Sequence, residues 1–208
     1  MQPPRVPIPK LAELPLEIDT ARLTLRPFRE SDVDAIFPIV SQAEFSKFMS
    51  WRAHADRAET LAFIQRSLAV AAQDEGAVWA IEHEGQAVGC IGLDGVVWQV
   101  NALRYDCAEL GYWLAPALWG KGLMTEAASA VVQFAFEQIG LHKVATRCFV
   151  DNAASRRVIE KTGFRFVGRA EDDVWRDTRW ITQLLYEMTA PEWPDVHTTM
   201  RISRSPLP

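Results

Sequence analysis

The sequence "LWGKGLMTEA", residues 118–127, places two glycines around a lysine immediately before a run of strong helix formers. Backbone amides in the first turn of a helix have no partners within the helix, and they carry a partial positive charge. A glycine-rich lead-in lets a phosphate group approach those amides closely. The stretch therefore predicts an anion-binding turn at the start of a helix, although an ordinary tight turn would use the same residues.

Two better-known phosphate-binding patterns do not fit this stretch. A Walker-type loop requires glycine at position 115 and serine or threonine at position 122, where this chain has Ala115 and Gly122. The three-glycine fingerprint of dinucleotide-binding folds is absent as well. The segments around the turn are therefore needed to interpret it.

Those segments alternate between strand and helix patterns. Strand patterns cover residues 22–28, both sides of a tight turn at Gly85, and residues 107–114, 143–150, 164–170 and 180–188. Helix patterns cover residues 32–40, 57–74, 123–139 and 152–163. Gly140 is a suitable cap for the third helix. This order predicts a mixed α/β domain.

Composition limits the classes of function. The chain has 208 residues, of which 49% are hydrophobic and 24% charged, enough for one well-buried domain. Its net charge of -5 argues against a general affinity for nucleic acid or for an anionic membrane. No apolar run has the length of a membrane span, and the amino terminus "MQPPRVPIPK" lacks the apolar core of a signal peptide. A cytoplasmic protein is expected.

Prolines concentrate at the two ends of the chain. They predict an N-terminal arm at residues 1–20 and a C-terminal tail at residues 190–208, on either side of a domain at residues 21–189. Three widely spaced cysteines, each in an apolar run, are interpreted as reduced core residues: Cys90, Cys107 and Cys148. The four histidines lack metal-ligand spacing, so neither a metal site nor a covalent acyl-cysteine is predicted.

The succession "ELGYWLAPALWGKGLMTEA", residues 109–127, followed by "VDNAASRRVIEKTGFRFVG", residues 150–168, resembles the acyl-CoA-binding core of the GNAT acetyltransferase superfamily. The resemblance runs from about Thr20 to Thr189, and it is strongest to the branch of ribosomal-protein alanine and serine N-acetyltransferases. It implies a GNAT fold, with a mixed sheet of about seven strands, about four flanking helices and a splayed strand pair at the cofactor site.

The resemblance also implies a site for acetyl-CoA. Backbone amides of residues 119–125 would hold the pyrophosphate, and the splayed strand at residues 109–114 would pair with the pantetheine arm. Asn152 would contact the end of that arm, although asparagine at this position is equally suited to cap the helix. The implied cofactor-binding residues are Trp113, Leu114, Trp119, Gly120, Lys121, Gly122, Leu123, Met124, Thr125, Asn152 and Ser155.

One departure from the family pattern concerns the proton donor. Many superfamily members have a tyrosine that protonates the leaving thiolate at the position where this chain has Ile159. Ser155, one helical turn earlier, is the replacement donor that the branch implies, and a purely capping hydroxyl is the alternative. Glu109, beside the expected reaction centre, is the candidate acceptor of the amine proton, directly or through water, and a structural carboxylate is the alternative.

The implied reaction is direct transfer of an acetyl group from acetyl-CoA to a neutral amine, with a backbone amide stabilising the oxyanion. The branch favours the N-terminal α-amino group of a protein or peptide. With a pKa near ~7.8, roughly one such amine in seven is neutral at pH 7, against about one lysine in 2,500. The alternatives are a small amine, such as an antibiotic or a polyamine, and a module that binds acyl-CoA without turnover. A homodimer is left open.

Overall fold

A mixed β-sheet organises residues 8–193, the part of the chain that the computed structural model describes. Its strands are β1 (Ile18–Asp19), β2 (Thr24–Arg26), β3 (Ala77–His83), β4 (Gln86–Val100), β5 (Leu103–Leu114), β6 (Lys143–Phe149), β7 (Arg165–Arg176) and β8 (Arg179–Thr189). Their spatial order is β1-β2-β3-β4-β5-β6-β8-β7, and β5 and β6 run parallel while the other neighbours are antiparallel. The predicted mixed α/β class is confirmed. The sheet has eight strands rather than about seven, because the two residues of β1 are too few to show a strand pattern.

Helices cover both faces of this sheet. They are α1 (Val33–Val40), α2 (Ala43–Ser46), α3 (Arg57–Ala72), α4 (Leu123–Phe134) and α5 (Ala153–Thr162). The single turn of α2 was not predicted, since four residues are too short for a helical period. A π-helical turn, Ala135–Ile139, continues α4 and ends at Gly140, whose φ of 81° confirms the predicted cap.

The two faces carry separate apolar cores. Side chains alternate across a strand, so Ile91 and Leu110 pack beneath α4, whereas Cys90 and Trp113 pack beneath α1 and α3. Burying each large apolar side chain contributes about 1.5–3 kcal/mol. The sheet is thereby fixed between two helical layers. Alternate side chains of the central strands β4 and β5 belong to the two different cores.

Strands β5 and β6 separate partway along their length. Their last paired residues are Glu109 and Ala145, although β5 continues to Leu114 and β6 to Phe149. Within residues 8–193, the backbone of residues 111–114 therefore has no strand partner on the β6 side. This opening confirms the predicted splayed strand pair.

The described parts of both chain ends pack against the domain. Leu11, within the predicted N-terminal arm, is fully buried, and the Leu16 carbonyl accepts a 2.9 Å hydrogen bond from Trp79 Nε1. At the other end, the buried Trp193 lies against Phe136, with ring centroids 6.1 Å apart. The rest of the predicted arm and tail, residues 1–7 and 194–208, lies outside the described residues. Within residues 8–193, no helix combines the length and hydropathy needed to cross a bilayer.

Candidate active site

A cavity of about 750 Å³ opens where β5 and β6 separate. Its walls come from β3, β4, β5, β6 and β8, from α3 and α5, from the turn before α4 with the start of that helix, and from the segment at residues 45–51. This volume is typical of a small-molecule site. All the predicted cofactor-binding residues line the cavity except Lys121.

The turn before α4 has the conformation of an anion site. Gly120 and Gly122 have φ angles of +74° and +79°, a left-handed backbone that glycine adopts at little cost. Gly122 is the N-terminal residue before α4, and within the described chain no side chain caps this helix end. The first amides of α4, at residues 123–125, are thus available to an anionic group.

Contacts on two sides hold this turn in place. Arg22 donates to the Lys121 carbonyl at 3.0 Å and forms a salt bridge with Glu126 at 2.7 Å. On the other side, Trp119 Nε1 donates to the Leu114 carbonyl at 2.6 Å. The turn is therefore anchored to both the N-terminal strand region and the end of β5.

The start of α5 brings two predicted residues together. Asn152 Oδ1 accepts from the Ser155 backbone amide at 3.0 Å, which confirms Asn152 as the helix cap. The Ser155 hydroxyl lies 3.0 Å from the Tyr112 hydroxyl, which also donates to the Ser155 carbonyl at 3.2 Å. Burial raises the pKa of Tyr112, so this phenol is neutral at pH 7. Ile159 is buried in the core, and its aliphatic side chain has no acidic proton to donate.

Two carboxylates face each other across β4 and β5. Asp94 is the register partner of Glu109, and both line the cavity. Arg147 donates to Glu109 through Nε at 2.8 Å and Nη2 at 2.7 Å, a bidentate ion pair. Burial raises the pKa of Asp94, and the charge of Glu109 raises it further. Asp94 is thus a carboxylate whose proton affinity the fold has increased.

An aromatic wall closes the same side of the cavity. Phe45 and Trp51 lie with ring centroids 5.7 and 6.5 Å from that of Trp113. Arg176, at the end of β7, holds the segment at residues 45–51 by donating to the carbonyls of Ser46, at 2.9 Å, and Met49. The wall is therefore positioned by the β7–β8 hairpin.

Comparison with known families decides the identity of this fold. The profile of the acetyltransferase (GNAT) domain matches residues 22–165, more than half of the chain. The chain belongs to the GNAT acetyltransferase family. It is an acetyl-CoA-dependent N-acetyltransferase with the predicted GNAT fold, an identification that favours an enzyme over a non-catalytic binding module.

Individual relatives agree with this assignment. The uncharacterized N-acetyltransferase YoaA of Bacillus subtilis (strain 168) is 30% identical over 153 residues, 73% of this chain and 84% of the relative. The ribosomal protein uS5-alanine N-acetyltransferase of Escherichia coli (strain K12) is 30% identical over 101 residues, 48% of this chain and 52% of that relative. The structure of Mycobacterium smegmatis RimJ in complex with CoA-disulfide has a TM-score of 0.76 and 26% identity, covering 86% of this chain and 89% of that one.

The cysteines of this GNAT enzyme are free. Cys90 and Cys148 are buried, as predicted, whereas Cys107 is only half-buried and is not a core residue. Burial raises the pKa of Cys148 to about 11, so this thiol is protonated at pH 7 and a weak nucleophile. Among the residues that the structure describes, no three His, Cys, Asp or Glu side chains cluster as metal ligands do.

Sequence reasoning missed Asp94, Tyr112 and Arg147. Asp94 stands before a glycine in "GLDGV", which reads as a strand end, and Tyr112 alternates with apolar residues as a core side chain does. Arg147 lies in a strand pattern whose other members are mostly apolar. The available signal was the strand period, which places Glu109, Gly111 and Trp113 on one face, but it does not give the register with β4.

Proposed function

We propose that this GNAT enzyme acetylates the N-terminal α-amino group of a protein or peptide. The observation that carries the proposal is the pair of Asp94 and Glu109 at the closed end of the splayed strands. A carboxylate of raised pKa is still a weak base, which suits an amine that is already partly neutral at pH 7. The uS5-alanine N-acetyltransferase relative, 30% identical, supports the same class of acceptor.

The charge distribution disfavours a polyamine. A polyamine would need several carboxylates without cationic partners, whereas Arg147 already neutralises Glu109 and aromatic rings form the adjoining wall. A small amine of low pKa is the remaining alternative. It would fill the cavity without extending along the sheet.

The cofactor site follows from the geometry of the turn and the splayed strand. The amides at residues 123–125 are the groups that would bind the pyrophosphate, and the backbone at residues 111–113, which lacks a strand partner on the β6 side, would hydrogen-bond the pantetheine amides. Acetyl-CoA held in this way would have its thioester in the cavity that Asp94 and Glu109 line. Asp94 then takes the proton of the attacking amine, and the neighbouring Glu109, which pairs with Arg147, contributes to the raised pKa of Asp94.

Ser155 and Tyr112 supply the leaving-group proton in this proposal. The Ser155 hydroxyl contacts Tyr112, and the helix cap uses the Ser155 backbone amide instead. The hydroxyl is therefore available to donate to the departing sulfur, with the neutral Tyr112 phenol behind it.

Ser155→Ala is expected to lower kcat by about tenfold to 100-fold, since a hydrogen bond to a charged group contributes about 1.5–3 kcal/mol. The cap by Asn152 survives this change, so acetyl-CoA affinity and thermal stability should hold. Pre-steady-state kinetics measure the rate of the chemical step, titration calorimetry measures acetyl-CoA affinity, and thermal denaturation measures stability. Tyr112→Phe should have a smaller effect on kcat. Full turnover in Ser155→Ala, with chemistry rate-limiting, would assign the proton to solvent.

The acceptor itself is tested with short peptides beginning with Ala or Ser, each paired with an amino-blocked copy that retains one lysine. Mass spectrometry locates the acetyl group. Label on the α-amine of the free peptides and none on the blocked copies is the expected result. Label on lysine alone, or turnover with non-peptide amines alone, would contradict the acceptor assignment and leave the acetyl-CoA assignment standing.

A further inference from the structure

Gln183 is a buried polar side chain in the cavity wall for which the reaction has no use. It lies on β8, is 7% exposed, and lines the cavity. Among the residues that the structure describes, its carboxamide oxygen has no hydrogen-bond partner. A buried acceptor without a donor destabilises the fold, so such a group requires an explanation.

Gln183 lies on the face of the sheet where the amine substrate would bind, the face that carries Asp94 and Glu109. Gln183 is the register partner of Phe149, which lies on the same face of β6 as Arg147. Arg147 in turn binds Glu109, so this face also carries the two carboxylates. Glu109 pairs with Ala145 on β6, and Gln183 pairs with Phe149, four residues further along β6. Gln183 is therefore roughly 13 Å beyond Glu109 in the strand direction.

The segment at residues 45–51, which carries Phe45 and Trp51 of the aromatic wall, also covers this region. Phe48, from the segment that Arg176 holds, lies with its ring centroid 6.5 Å from that of Phe149. Asp94 also lies three strands away from Gln183, about 14 Å across the sheet, so the two positions are roughly 20 Å apart. An extended chain that starts at Asp94 and runs beneath this segment would pass Gln183 after about six residues, since each residue spans roughly 3.3 Å. A small amine would not reach it.

We infer that Gln183 binds a backbone N–H of the acceptor peptide, a few residues beyond the acetylated α-amine. This inference rests on the proposed function and adds an extended acceptor subsite to it. A buried carboxamide oxygen that has no partner among the described residues can accept from a main-chain N–H, a group that nearly every peptide residue offers, rather than from a particular side chain. The subsite would therefore select peptides of sufficient length over free amino acids and small amines.

The inference is tested with Gln183→Met, which keeps the size of the side chain and removes its hydrogen-bonding groups. KM for a hexapeptide should rise about threefold to tenfold, with kcat and acetyl-CoA affinity unchanged, and thermal stability should not fall. KM for a dipeptide should stay as in the parent enzyme. Gln133→Met, on α4 and paired with Glu137 away from the cavity, is the matched control.

An ester scan of the hexapeptide identifies the N–H concerned. Replacing each amide N–H in turn by an ester oxygen should raise KM at one position in the parent enzyme and at none in Gln183→Met. If no ester raises KM, or if Gln183→Met leaves the hexapeptide KM unchanged, the inference is wrong while α-amino acetylation stands. A weaker acetyl-CoA affinity in Gln183→Met would mean that the Gln183 carboxamide oxygen binds the cofactor rather than the peptide, and the inference would be wrong. If the hexapeptide is not acetylated, the proposed function and the subsite fail together.

Discussion

Replacing Asp94 by asparagine is expected to lower kcat/KM by about 1,000-fold at neutral pH, because a positioned general base contributes about 100-fold to 10,000-fold. Asparagine has nearly the same shape but cannot accept the proton of the amine. Acetyl-CoA affinity should be unchanged, since the turn at residues 119–125 is not altered. Steady-state kinetics with a peptide acceptor and calorimetry with acetyl-CoA measure the two effects. Asp34→Asn, an exposed carboxylate paired with Arg57, is the control.

The pH profile separates Asp94 from Glu109. A base must be ionised, so kcat/KM rises with pH through the pKa of that base. Burial first, and the Glu109 charge second, raise the pKa of Asp94. Glu109→Gln removes that charge, lowers the pKa of Asp94, and should move the rising limb to lower pH while activity persists. If Glu109→Gln abolishes the limb and Asp94→Asn retains it, Glu109 is the base, as the sequence indicated.

The parts of the fold that the sequence predicted are local ones. The turn at Gly120 and Gly122 and the cap at Gly140 each depend on residues within one helical turn of one another. The splayed strands came from the family resemblance, and the register confirms them, since pairing stops at Glu109. Local geometry and a specific motif were sufficient to predict the turn before α4 and the splayed strand pair.

The acceptor side depends on contacts between distant residues, and these were not predictable. Tyr112 meets Ser155 across 43 positions, and Arg176 reaches Met49 across 127. The pairing of Asp94 with Glu109 requires the register of β4 on β5, which shifts at a bulge immediately after Asp94. A slip of one residue would place Asp94 on the opposite face. No period in the sequence specifies such a register.

Gly122→Asp is expected to weaken acetyl-CoA binding by at least about 100-fold. The new side chain adds negative charge beside the amides of α4, where the pyrophosphate would bind, and each charge-assisted hydrogen bond lost there costs about 1.5–3 kcal/mol. A Cβ at Gly122 would lie 3.7 Å from Arg22 Nη2, so the substitution meets no backbone clash. Isothermal titration calorimetry with acetyl-CoA measures the loss.

Backbone strain has to be separated from charge in this experiment, because Gly122 has a φ of +79°. Gly85→Asp is the matched control, since Gly85 has a φ of +78° with open space around it in the β3–β4 turn. Both variants should lose similar stability, and only Gly122→Asp should lose acetyl-CoA affinity. Gly122→Asn adds the side chain without the charge and should fall between the two. Unchanged affinity in a folded Gly122→Asp enzyme would mean that the pyrophosphate binds away from the start of α4.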